Sequence, residues 1–73
     1  MADESLPPGY HDLSPAARRV YDALDEADGA LSKSSLSDET HHAERTVKEA
    51  LAELRAEDLI VGWGWPRRYR LDR

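Results

Sequence analysis

Arg45 and Lys48 stand three residues apart in a segment of helical periodicity, so both side chains leave one side of a single helical turn. An arginine presented in this way can pair bidentately with guanine O6 and N7, which discriminates by about 1–3 kcal/mol against a wrong base. A second cationic group follows at Arg67, Arg68 and Arg70, interleaved with Trp63, Trp65 and Tyr69. Rings that brace guanidinium groups by cation–π contact leave the charge available to phosphate. If Gly64 opposes Arg67 in a hairpin, Trp63 faces Arg68 and holds it in this way. Both groups have a competing interpretation. Glu44 with Lys48, and Arg45 with Glu49, are spaced i,i+4 and can close as ion pairs. The tryptophans can instead pack in a core or form a patch for a second subunit. Glu44 and Glu49 oppose phosphate, and either accept from cytosine N4 or reject wrong sites.

Other chemistries find little support. Asp25-Glu26 and Glu57-Asp58 are carboxylate pairs at helix ends, whereas acid–base catalysis needs a pocket. There is no glycine-rich phosphate loop and no nucleophile–base pattern, so no enzymatic activity, cofactor or small-molecule ligand is expected. His41-His42 lies near Asp38 and Glu39, but adjacent histidines on a corner rarely share an ion, and a third strong ligand requires His11 to fold over. The expectation is no metal, with His42 half-buried and His41 in the turn conformation. The chain has no cysteine, which excludes disulfides and thiolate zinc sites. No apolar run approaches the roughly 20 residues of a membrane span, and nothing resembles a signal peptide, so the expected location is cytoplasmic.

Net charge is −5, which at first sight disfavours a polyanion partner. Its distribution matters more. Residues 1–32 carry −5 and residues 33–60 carry −3, while residues 61–73 carry +3. A local potential of this kind is what a phosphate backbone feels. Lys33 and Lys48 are the only lysines, the other eight bases being arginine, and phenylalanine is absent. Such a composition fits a salt-accumulating microbe, or alternatively a GC-rich genome. At molar salt the screening length falls to about 3 Å, and net charge loses much of its influence.

The elements that must position these residues follow from periodicity and capping. Seventy-three residues make one domain, with residues 1–12 as a flexible tail from which Tyr10 can fold back, and residues 13–73 as the folded unit. Ser14-Pro15 starts a first helix, with Ala17, Val20, Tyr21, Leu24 and Ala27 on its apolar face and Asp28-Gly29 at its end. Ala30-Leu31 is a stub strand. Ser32 caps a second helix over about 33–39, Thr40-His41-His42 is a corner, and a third helix spans about 43–57 with Val47, Ala50, Leu51 and Leu54 inward. A strand from Leu59-Ile60-Val61, a turn within residues 62–67 and a return strand Arg68–Leu71 complete the chain. In that hairpin Ile60, Gly62, Tyr69 and Leu71 share the core side.

The segment Leu36-Ser-Asp-Glu-Thr40, Glu44-Arg45-Thr46-Val47, Ala50-Leu51, Leu54, Leu59-Ile60 resembles a winged helix-turn-helix, an α+β fold of three helices and a two-stranded wing. It is similar to the DNA-binding units of MarR-like and ArsR-like regulators, and to small haloarchaeal regulators, over residues 13–72. The resemblance implies a homodimeric transcriptional regulator that binds double-stranded DNA. The third helix, with Ala43, Glu44, Arg45, Thr46, Lys48 and Glu49, would enter the major groove. Trp63, Trp65, Arg67, Arg68 and Arg70 would form the wing, and Lys33 and Ser34 would meet the backbone from the second helix. Where such proteins carry glycine at the corner and at the exit of the third helix, this chain has His41-His42 and Asp58, and Ala43 cannot cap the recognition helix. A protein-docking winged helix, built on the tryptophan–arginine hairpin, is the alternative; RNA binding is a third reading with no distinctive signal.

Overall fold

The computed structural model describes residues 9–27 and 29–72. Of the expected tail over residues 1–12, residues 1–8 lie outside the described residues, as do Asp28 and Arg73. Tyr10–Asp12 forms a single 3-10 turn, and its Tyr10 hydroxyl donates to Asp22 at 2.9 and 3.1 Å from the two carboxylate oxygens. This contact fastens residues 9–12 to the first helix, as the sequence suggested for Tyr10.

Helix α1 (Pro15–Ala27) begins where Ser14 Oγ accepts the Ala17 N–H at 3.2 Å, with Pro15 at the first position, where a missing N–H costs nothing. Ser14 is also the link to the third helix. Its N–H and its hydroxyl each donate to the Glu53 carboxylate at 2.8 Å. Helix α2 (Lys33–Thr40) starts with Ser32, whose Oγ accepts the Ser35 N–H at 3.2 Å. Thr40 belongs to this helix rather than to the corner, because its hydroxyl donates back to the Leu36 carbonyl at 2.7 Å and is buried there. The corner is therefore His41–Ala43. His41 takes a left-handed conformation (φ 59°), and the Ser37 hydroxyl donates to the His42 carbonyl at 2.6 Å.

Helix α3 (Glu44–Ala56) buries Val47, Ala50, Leu51 and Leu54, the same i, i+3, i+4, i+7 pattern that α1 uses with Ala17, Val20, Tyr21 and Leu24. It ends in a Schellman arrangement: Leu59 N–H donates to the Leu54 carbonyl and Asp58 N–H to the Arg55 carbonyl, both at 3.0 Å. Asp58 supplies the left-handed residue (φ 58°) where glycine is usual. Leu36 of α2, together with Leu13, Ile60 and Leu71, closes the core between these two helices.

Strands β1 (Leu31–Ser32), β2 (Ile60–Trp63) and β3 (Arg68–Leu71) form an antiparallel sheet in the order β1-β3-β2. The stub strand is thus a third member of the wing sheet, one residue later than the sequence suggested. Leu31 pairs with Tyr69 and Ser32 with Arg68. Across the hairpin Ile60 pairs with Leu71, Gly62 with Tyr69 and Trp63 with Arg68, the register inferred from alternation. The chain is a winged helix: three helices with a small antiparallel sheet at one edge. No helix among the described residues is long and apolar enough to cross a membrane.

Candidate nucleic-acid interface

Pairing of β1 with β3 decides where the cations go. Ser32 is at once the last residue of β1, the partner of Arg68 and the cap of α2. The start of α2 is thereby held beside the wing. Between them lies an open cleft of ≈ 550 Å³, lined by Ser32, Lys33 and Ser34 from the start of α2, by Glu44 from the start of α3, and by Trp65, Pro66, Arg67, Arg68 and Tyr69 from the wing. Three cations and two aromatic residues thus meet one carboxylate. This size suits a segment of a polymer backbone or a ligand of a few rings.

Wing geometry explains the aromatic exposure. Gly64 turns the hairpin with φ +81° and is followed by a cis Trp65-Pro66 peptide. Trp65 at the tip is 93% exposed, which excludes a core role for it, and Trp63 is 45% exposed. Tyr69 is half-buried and packs against the core while also lining the cleft. Its ring lies close over β2: a Cβ on Gly62 would stand 3.0 Å from Tyr69 Cδ1 and Cε1, so only glycine leaves the ring in place.

One expected contact is different. Trp63 does pair with Arg68, yet the guanidinium over its ring is that of Arg70, with Cζ 5.8 Å from the ring centroid. Arg70 opposes Val61, so it is the diagonal neighbour of Trp63 on the outer sheet face, and its long side chain covers the offset. The same side chain donates from Nη1 to its neighbour's carbonyl at Leu71, 3.2 Å away.

Of the residues singled out from sequence, the cleft gathers Lys33, Ser34, Glu44, Trp65, Arg67 and Arg68. Arg45, Lys48 and Glu49 are exposed on α3 outside the cleft lining, Thr46 is half-buried, and Ala43 precedes α3 with no side-chain cap. Among the described residues, none of Glu44, Arg45, Lys48 and Glu49 closes an ion pair, so the i,i+4 alternative is not taken up. Trp63 and Arg70 occupy the outer face of the sheet. Ser32, Pro66 and Tyr69 line the cleft without having been expected there. Tyr69, inward in the sequence alternation, packs against the core and also lines the cleft. His41 is exposed and His42 half-buried, and no group of three possible metal-ligating side chains occurs among the described residues.

No protein-family model matches the chain, and no curated protein matches it. Among solved structures, the chain is similar to the Zalpha domain of PKZ from Carassius auratus, determined in complex with Z-DNA. The two share 19% sequence identity, with a TM-score of 0.72 over 78% of this chain and 92% of that one. At this identity the likeness concerns the fold, and it agrees with the winged-helix architecture.

Proposed function

We propose that this chain binds double-stranded DNA and acts as a transcriptional regulator. The observation that carries the reading is the cleft in which Lys33, Arg67 and Arg68 converge from α2 and the wing beside the first residue of α3. Phosphate contacts position a protein on a duplex, and side chains of an inserted helix read base edges. In this reading Lys33, Ser34, Arg67 and Arg68 hold the backbone, and Trp65 packs against the sugar–phosphate edge. Arg45 and Lys48, without an ion pair among the described residues, enter the major groove with Thr46. Arg70, braced by Trp63, contributes to the field from the outer sheet face. The neighbour solved with Z-DNA supports a duplex as ligand and adds the left-handed form as a candidate conformation. Kinship with MarR-like and ArsR-like regulators, a homodimeric state, a cytoplasmic location and a haloarchaeal, salt-adapted setting belong to the same proposal, the last supported by the acidic, arginine-rich composition.

NMR titration of labelled protein tests the reading, using a mixed-sequence right-handed duplex and a duplex locked in the left-handed form. Shifts at residues 33–34, 44–48 and 65–69 are expected. Four to six phosphate contacts predict that log K falls with log salt at a slope of roughly −4 to −5. A second reading, docking to another protein through the wing, is favoured by the 93% exposure of Trp65. It predicts weak salt dependence and no duplex-induced shifts, and Arg45→Glu would leave it intact while abolishing DNA binding.

A further inference from the structure

Among the described residues that line the cationic cleft, Glu44 is the only carboxylate. It is exposed, it stands at the first position of α3, and it makes no hydrogen bond or ion pair among the described residues. An acid in the first helical turn interacts favourably with the helix dipole, and the absence of a side-chain cap at Ala43 increases that benefit. Any first-turn position supplies the same benefit, however, and this one places the charge in the lining of the cleft that Lys33, Arg67 and Arg68 share. A cleft built for phosphate alone gains nothing from a carboxylate there, since it offsets one of three cations. A selective cleft does gain. An ionised carboxylate only accepts hydrogen bonds, and in the major groove its fitting partner is the cytosine N4 amino group. It also penalises registers that bring a phosphate or a base-edge acceptor against it.

We propose that Glu44 is a specificity-determining residue of this interface, accepting from cytosine N4 in the correct register and repelling the duplex in others. The proposal rests on the duplex-binding reading above. Fluorescence anisotropy on labelled duplexes that differ only in C·G against T·A content at the central positions measures it. Native protein is expected to prefer its best C·G duplex by about 30-fold, the middle of the range for one well-made base contact. Glu44→Ala is expected to bind the disfavoured duplexes several-fold more tightly and to lose the preference. Glu44→Gln, which keeps a carbonyl acceptor but not the charge, isolates the repulsion and is expected to bind every duplex more tightly than native. Thermal melts of both variants establish that they fold. A preference retained in Glu44→Ala, or no gain in affinity in either variant, overturns the proposal. Native protein that binds none of the duplexes overturns the duplex-binding reading itself, and the selector role with it.

Discussion

The two ends of α2 face clefts of opposite character. At its start, Lys33 joins Arg67 and Arg68 with Glu44 as the one acid among the described residues. At its end, Glu39 and Thr40 meet Asp22, Glu26, Ala23 and Arg19 of α1 in a smaller cleft of ≈ 200 Å³, where three acids surround one base. The α2 dipole reinforces both, being partially positive at Lys33 and partially negative at Glu39. One eight-residue helix therefore separates the two signs of a chain whose net charge of −5 describes neither end. Net charge is a sum over the whole surface, whereas a bound polyanion responds to the field where it lies.

Because α2 is shared, the severest disruption should abolish both clefts together. Leu36 is fully buried and is the large apolar side chain that holds α2 to the core. Leu36→Ala is expected to cost about 3 kcal/mol, read from denaturant midpoints, a large part of a small domain's stability. Charge reversal should then separate the ends. Arg67→Glu with Arg68→Glu is expected to weaken duplex binding about 100-fold or more at fixed salt, since two phosphate contacts become repulsions. Glu26→Gln with Glu39→Gln, at the other end, is expected to leave affinity within about threefold. Equal responses from the two ends would remove the functional distinction between them.

Smaller effects sharpen the comparison. Ser32→Ala removes the cap at the cationic end and should cost about 1 kcal/mol, with a parallel loss of duplex affinity because Lys33 and Ser34 start from that cap. At the acidic end, Tyr10→Phe removes the hydroxyl that engages Asp22 and should cost about 1 kcal/mol with no change in binding. Burial, and then the hydrogen bond to Asp22, raise the Tyr10 phenol above its ordinary 10.0. A raised folded pKa stabilises fully below the unfolded value and is lost as pH rises through the folded one. Stability should therefore decline above about pH 10, less steeply in Tyr10→Phe, as followed by alkaline thermal melts. Smallest of all, Asp58→Gly should stabilise by about 0.5–1 kcal/mol, because glycine adopts φ 58° without strain; the test is a rise in melting temperature with binding unaltered.

Helices α1 and α3, with the Ser14-Pro15 start and their inward residues other than Ala27, which is exposed at the end of α1, were legible because a 3.6-residue period and a cap are local properties. The β2–β3 register was legible for a similar reason, since two-residue alternation and a glycine turn fix which side chains share a face. The left-handed conformation at His41 followed from its place in the corner, and that at Asp58 from the resemblance, which puts glycine at that helix exit. Residue types alone also indicated the separation of charge along the chain. The placement of β1 against β3 was decided only by tertiary structure, because two residues carry no periodicity and their partner lies 38 positions away, from Leu31 to Tyr69. That pairing brings Lys33 and Ser34 to Arg67 and Arg68, so the cleft does not exist in any local segment. The capture of Trp63 by Arg70 rather than Arg68 is likewise tertiary: pairing partners follow from register, but the reach of a long side chain across the sheet depends on the twist and on the neighbours it meets.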